Sequence, residues 1–98
     1  MTKVVHSRRF GGFGLSKKAV EWLIARGVVA KDKYDIERWH DRPRHDPMLV
    51  ACVEALGEEA SGQYAELVIA EVDGKYRIDE YDGYESVETP GSYEWVEP

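Results

Sequence analysis

The segment of the sequence with the clearest capacity for ligand chemistry is a glycine-rich loop at residues 10–14, which reads Phe-Gly-Gly-Phe-Gly. It precedes a predicted helix, and Ser16 is a residue type whose side chain caps the first turn of a helix. Free N–H groups and the helix dipole attract anions at such a position, and basic residues flank the loop on both sides. These features predict a site for a phosphorylated small molecule or nucleotide, formed by Arg9, Gly11, Gly12, Gly14, Ser16 and Lys17.

The glycine loop also has a purely structural interpretation. Its glycine spacing matches neither the Walker phosphate loop nor the dinucleotide-binding fingerprint, so the motif alone does not define a nucleotide site. The alternative is a tight corner between a strand and a helix, with Phe10 and Phe13 filling the core. Both interpretations stay open at the level of the sequence.

The C-terminal third of the chain combines carboxylates with tyrosines. Acidic side chains at alternate positions of a strand can imitate the spaced phosphates of a nucleic acid, and tyrosine is enriched at protein interfaces. The alternative is an ordinary solvated sheet face with aromatic residues packed beneath the helices. We expect most of the acidic side chains to reach water. The residues predicted to contact a partner protein are Glu80, Tyr81, Asp82, Tyr84, Glu85 and Glu88.

Two His-Asp pairs, His40-Asp41 and His45-Asp46, flank Pro43 and contain residue types that bind metals or transfer protons. Asp46, however, is also expected to cap a helix, and no second cluster of ligands occurs elsewhere in the sequence. A zinc site normally needs three or four protein ligands. We therefore predict no metal site, no cofactor and no catalytic residue, which leaves a small enzyme of unknown reaction as the least supported class.

The 98 residues carry a net charge of −6 that is divided unevenly along the chain. Residues 1–49 hold eleven basic and six acidic side chains, a balance of +5, whereas residues 50–98 hold two and thirteen, a balance of −11. Such a division either cancels when the halves pack together or leaves one acidic face and one basic edge that steer partners. The acidic half disfavours direct binding of DNA or RNA.

Length and composition predict a single domain over residues 1–98. A hydrophobic content of 43% is typical of a folded chain, and the lone Cys52 cannot form an intramolecular disulfide, which favours a reducing cytoplasm. No apolar run approaches the roughly 20 residues that span a bilayer, and residues 1–7 lack the apolar centre of a signal peptide. We expect a cytoplasmic protein without a membrane partner, and the sequence leaves open whether it forms a homodimer.

Two helices are predicted from apolar residues at helical spacing and from capping residues at their starts. The first covers about residues 16–26, and the second covers about residues 46–61. Between them, residues 28–43 are interpreted as an ordered excursion anchored by Tyr34 and Trp39.

The remaining predicted elements are strands at residues 3–6, 64–72, 75–81 and 84–89, with a further strand at 93–96. They are separated by turns at Asp73-Gly74, Asp82-Gly83 and Pro90-Gly91, of which the first is a strong hairpin signal. This order predicts an α+β fold, in which two helices pack on one face of a small, mostly antiparallel sheet of three to four strands.

Three blocks of the sequence resemble a family of short proteins encoded by bacteriophages, large DNA viruses and some bacteria. They are GGFGLS at residues 11–16, RHDP at residues 44–47 and IDEYDGYE at residues 78–85, and the resemblance extends from about residue 4 to about residue 89. It implies no activity and no site residues. It implies a setting, that of a viral or prophage accessory protein acting inside a host cell.

The function that the sequence predicts is therefore binding. The first hypothesis is a small accessory protein that engages a host protein, including one that itself binds nucleic acid, through the acidic, tyrosine-rich sheet face. Countering host defence would suit that role. The second hypothesis is capture of a phosphorylated small molecule or nucleotide at the glycine loop.

Overall fold

The computed structural model describes residues 2–31, 34–39 and 42–89. The fold is α+β, as predicted. In chain order the elements are β1 (Thr2–Ser7), α1 (Lys17–Ala25), α2 (Asp35–Arg38), α3 (Pro47–Leu56), a 3-10 helix (Gly57–Ala60), β2 (Leu67–Val72), β3 (Arg77–Tyr81) and β4 (Tyr84–Glu88). The strand predicted at 93–96 and the turn at Pro90-Gly91 lie outside the described residues.

The two predicted helices are confirmed together with their capping residues. The Ser16 side chain accepts a hydrogen bond from the Ala19 N–H at 3.1 Å, and Asp46 accepts one from the Met48 N–H at 2.8 Å. The second helix is shorter than predicted, because Gly57 has a φ of +59° and breaks the α-helical path before the 3-10 helix. Local capping chemistry therefore sets where both helices begin.

The four strands form two separate antiparallel pairs instead of one sheet. The registers run from Thr2↔Val72 to Ser7↔Leu67 for β1 with β2, and from Arg77↔Glu88 to Tyr81↔Tyr84 for β3 with β4. The prediction of a hairpin at Asp73-Gly74 is therefore wrong. β2 gains more burial beside β1, because Val4 and Val5 are fully buried there, whereas β3 is polar and largely exposed.

The second predicted turn, Asp82-Gly83, is confirmed. Its residues have φ values of 50° and 89°, and a two-residue hairpin turn of type I′ requires positive φ at both positions. At Asp73-Gly74, where no hairpin forms between β2 and β3, Gly74 has a positive φ of 83° but Asp73 does not. The chain therefore turns at Gly74 without folding β3 back onto β2.

The hydrophobic core lies between α1, α3 and the pair formed by β1 and β2. α1 packs on α3, and α3 packs on both strands. Cys52 is fully buried in this core. Side chains that fill it include Val5, Leu15, Leu23, Leu49, Val53 and Leu67.

The segment between the two main helices is anchored by α2 and the residue after it. Trp39 is 2% exposed, and its Nε1–H donates a hydrogen bond to the Pro43 carbonyl at 2.9 Å. Trp39 is thus confirmed as an anchor of the excursion. Tyr34 is not buried, since nearly half of it is exposed, and Ile36 supplies the second buried apolar side chain.

Candidate functional site

The two segments singled out in the sequence lie against each other, since the turn between β3 and β4 rests on the glycine loop. A Cβ atom on Gly83 would come within 2.6 Å of the Gly12 nitrogen and would overlap the Phe10 carbonyl oxygen. Gly12 and Gly83 both have a positive φ of 89°. These glycines allow two backbones to meet, which explains part of the glycine content of the loop without a ligand.

A buried ion pair fixes the hairpin to the body of the domain. The carboxylate oxygens of Glu85 accept hydrogen bonds from the Arg44 guanidinium at 2.6 and 2.9 Å, and Oε1 also accepts one from the Ser7 backbone N–H at 3.0 Å. Glu85 is only 6% exposed. Glu85 is thus an exception to the expectation that most acidic side chains of this segment reach water, because this position of β4 faces β1 instead of solvent.

Arg44 and Glu85 together close the edge of β1 that does not face β2. The Arg44 guanidinium lies 3.7 Å from the centre of the Phe13 ring, and the Arg44 carbonyl accepts a hydrogen bond from the Val5 N–H at 2.9 Å. On the same edge, His6 Nδ1 lies 3.2 Å from the Glu85 carbonyl oxygen. Burial lowers the pKa of His6. The edge is thus covered by polar groups of the domain itself.

The other predicted partner-binding residues are divided between the two faces of the hairpin. In the register of β3 and β4, Tyr81, Tyr84 and Glu88 share one face, Glu80 lies on the other face, and Asp82 is in the turn. Tyr81 and Tyr84 are direct cross-strand partners, so their Cβ atoms are close neighbours. The six predicted residues therefore do not form one continuous patch.

Three aromatic side chains run from the glycine loop onto the hairpin, namely the exposed Phe10, the half-buried Tyr84 and the exposed Tyr81, and we call them the aromatic row. The Phe10 and Tyr84 rings contact each other with centroids 5.3 Å apart. Phe10 is 64% exposed and Tyr81 is 75% exposed. The expectation that Phe10 fills the core is wrong, and Phe13 packs against the core as expected.

Three exposed acidic side chains surround the tip of the hairpin, namely Asp79, Glu80 and Asp82. None of the three takes part in an ion pair between described residues. The Glu80 carboxylate accepts a hydrogen bond from the Gly83 N–H at 3.1 Å, and Glu88, farther from the tip, pairs with Arg77 at 2.8 Å. The acidic character of the hairpin is therefore concentrated next to Tyr81.

A pocket of about 340 Å³ lies beside the glycine loop, between residues 11–15, 37–38 and 62–65. The predicted ligand-binding residues divide into those that line it (Gly11, Gly12 and Gly14) and those that do not (Arg9, Ser16 and Lys17). Arg38 and Tyr64 line the pocket but were not singled out from the sequence. No local signal could have found them, because only the folded chain brings them to the loop.

The N-terminus of α1 is packed against the 3-10 helix and does not contribute to the pocket. The Ser16 hydroxyl donates a hydrogen bond to the Glu59 carbonyl at 2.5 Å, and the Ser16 N–H donates to the Ala60 carbonyl at 2.9 Å. The Lys18 ammonium pairs with the Glu59 carboxylate at 2.9 Å. These contacts give Ser16 a structural role in joining two helices.

The described residues offer neither a cluster of metal ligands nor a membrane span. Among them, no three or more His, Cys, Asp or Glu side chains lie together as a group that could hold a metal ion. His45 lies 2.6 Å from the Tyr76 hydroxyl, and Asp46 caps α3, while His40 and Asp41 lie outside the described residues. No helix in the same part of the chain has the length and apolar character needed to cross a membrane.

Comparison with known proteins does not identify a relative. No family model matches the chain, no curated protein matches it, and no solved structure matches it. The resemblance to the viral and bacterial family stays a prediction.

Proposed function

We propose that this domain is a binding module that engages a basic protein partner through the aromatic row and the acidic side chains beside it. The observation that carries the proposal is the exposure of Phe10 and Tyr81 at the two ends of the row. Large aromatic side chains supply much of the contact area and binding energy at protein interfaces. They have few rotatable bonds, so ordering them on binding costs little entropy.

The domain holds the aromatic row in position before any partner arrives. The Arg44–Glu85 ion pair fixes β4, and the turn at Gly83 rests on the loop that carries Phe10. A surface that is already ordered loses less conformational entropy on association than a flexible one. This support favours use of the row for binding, since scattered exposed aromatic residues need no such arrangement.

The charge at the Tyr81 end of the row favours a partner rich in Lys and Arg, whereas in the middle of the row Arg8 Nε lies 3.5 Å from the Tyr84 hydroxyl. Asp79 lies on the same face as Tyr81, and Glu80 on the opposite face and Asp82 in the turn are exposed as well. Exposed charges accelerate association with a surface of opposite sign. The same carboxylates repel nucleic acid. In the setting that the resemblance implies, the partner is a host protein of the cytoplasm, such as a basic protein that binds nucleic acid.

Site-specific photo-cross-linking in host-cell extract tests the position of the surface. A photoreactive phenylalanine analogue replaces Tyr81 in one variant and Val29 in the control, which is equally exposed (77%) and belongs to neither segment. We expect position 81, and not position 29, to capture a protein with a basic surface. The proposal fails if position 81 gives no adduct or gives the same adducts as position 29. It also fails if the molecule captured at position 81 is an acidic protein, a nucleic acid or a second copy of this chain.

Charge neutralisation then tests the role of the acidic tip with the captured partner. The variant is Asp79→Asn/Glu80→Gln/Asp82→Asn, because asparagine tolerates the positive φ at position 82 and glutamine keeps an acceptor for the Gly83 N–H. We expect the association rate to fall at least about tenfold at low salt. The control carries the same change in net charge on exposed residues elsewhere: Glu21→Gln, Glu58→Gln and Glu71→Gln. An equal loss in the control would contradict local steering.

A further inference from the structure

The pocket beside the glycine loop is built from backbone segments that the fold ties together. The Gly62 N–H donates a hydrogen bond to the Gly14 carbonyl at 2.9 Å, and the Leu15 N–H donates one to the Glu37 carbonyl at 2.8 Å. All three segments of the wall are therefore fixed relative to one another. The volume of about 340 Å³ lies at the lower end of the range of small-molecule sites, roughly 300–1,000 Å³.

The side chains that line the pocket offer three kinds of contact. Arg38 is an exposed residue whose guanidinium lies 5.1 Å from the centre of the Tyr34 ring, Glu37 is an exposed acidic residue, and Tyr64 is an aromatic residue that is 64% exposed. Leu15 and Ala65 are buried and contribute apolar surface. A ligand that uses all of these groups has an anionic end, a planar ring, and hydroxyl or amino groups that donate hydrogen bonds.

We propose that this pocket binds a nucleoside monophosphate. A guanidinium such as that of Arg38 pairs with a phosphate through two parallel hydrogen bonds, and an exposed ring such as that of Tyr64 stacks on a base. The Glu37 carboxylate accepts hydrogen bonds from ribose hydroxyls or from a base amino group.

The charge of the lining selects among phosphorylated ligands. Arg38 and Glu37 are the charged side chains in it, and they carry opposite signs. A single cation suits one phosphate group, whereas a triphosphate or a nucleic-acid strand would bring further negative charge to a lining whose other charged residue is the acidic Glu37. No member of the aromatic row lines the pocket, so this proposal is independent of the protein-binding function.

Isothermal titration calorimetry tests the proposal with the four common ribonucleoside monophosphates, adenosine, ATP and inorganic phosphate as probes. We expect at least one monophosphate to bind with a Kd below about 1 mM, and more tightly than the nucleoside, the triphosphate or free phosphate. Arg38→Ala should weaken binding at least about tenfold, since a charge-assisted hydrogen bond is lost. Tyr64→Ala should weaken it at least about fivefold, and Tyr64→Phe should preserve it because the ring remains.

The matched control is Arg9→Ala/Lys17→Ala, which removes two cations near the glycine loop that do not line the pocket. We expect this variant to bind like the wild type. Melting temperatures of all variants check that they remain folded, and the exposure of Arg38 and Tyr64 predicts that they do. The proposal is overturned if no monophosphate gives heat at millimolar concentration, if ATP or adenosine binds as tightly, or if the control loses as much affinity as Arg38→Ala.

Discussion

Replacing Arg44 by methionine removes the charged partner of a buried carboxylate, and we expect a large loss of stability. Breaking a buried ion pair from one side costs about 3–5 kcal/mol. The Ser7 N–H still donates to Glu85, which offsets part of this cost, while the loss of the guanidinium from the Phe13 ring adds about 0.5–2 kcal/mol. Because these two effects oppose each other, the free energy of unfolding should fall by about 3–5 kcal/mol, which lowers the melting temperature of a domain of this size by roughly 12–40 °C.

Urea denaturation followed by tryptophan fluorescence measures this loss within a double-mutant cycle. The cycle contains Arg44→Met, Glu85→Leu and the double variant, in which no uncompensated charge is left in the interior. We expect the double variant to recover most of the loss, with a coupling energy of at least about 2 kcal/mol. Lys18→Met is the control, because its pair with Glu59 is exposed and is worth less than about 1 kcal/mol.

Arg44→Met would contradict a supporting role of the ion pair if it cost less than about 1 kcal/mol, as the change at the exposed pair does. A cycle without coupling between positions 44 and 85 would contradict it as well. Either result would mean that Glu85 does not depend on Arg44 for its burial. The hairpin would then have to be held by the contact of its turn with the glycine loop.

Gly83→Ala should lower the free energy of unfolding by more than about 1 kcal/mol. Gly14→Ala should lower it by less, because a Cβ atom at position 14 meets open space and the φ there is not positive. Denaturation curves that show equal losses for the two variants would contradict this prediction. Burial lowers the pKa of His6 from 6.5, so the unfolded chain takes up the proton before the folded chain does as the pH falls. The free energy of unfolding should therefore keep the full contribution of His6 above about pH 6.5 and decrease below that pH. His6→Gln should flatten that decrease in urea titrations, and an unchanged slope would exclude His6 as its source. Burial raises the pKa of Cys52 to about 11, so alkylation of its thiol at about pH 8 should be slow until denaturant unfolds the chain. Rapid labelling of the folded protein would contradict the burial of this thiol.

Local signals were sufficient to predict the helices and one of the turns. Ser16 and Asp46 cap their helices through hydrogen bonds to residues only two or three positions farther along the chain. Asp82-Gly83 closes its hairpin because both residues tolerate positive φ. In each case the groups that interact are near neighbours in sequence, so their types and spacing carry the required information.

Strand pairing and the pocket depend on residues that are distant in sequence, so local patterns did not predict them. Asp73-Gly74 has the composition of a hairpin turn, but β2 pairs with β1 from the opposite end of the described chain. Arg38 and Tyr64 reach the glycine loop only because Leu15 and Gly62 form hydrogen bonds that join three segments. The chemistry of those segments could be described from the sequence, but their proximity could not.

Burial of Glu85 changes which carboxylates can act in the binding that we propose. Alternation along β4 assigns Glu85 to a face of the hairpin, but it does not say what lies opposite that face. Glu80, its cross-strand partner on the same face, is exposed, so Arg44 and the edge of β1 decide the burial of Glu85. A buried, paired carboxylate does not steer a partner, whereas Asp79, Glu80 and Asp82 keep their charge at the surface. We therefore assign the acidic contribution to partner binding to the tip of the hairpin. Glu85 instead holds β4, which carries Tyr84, against β1.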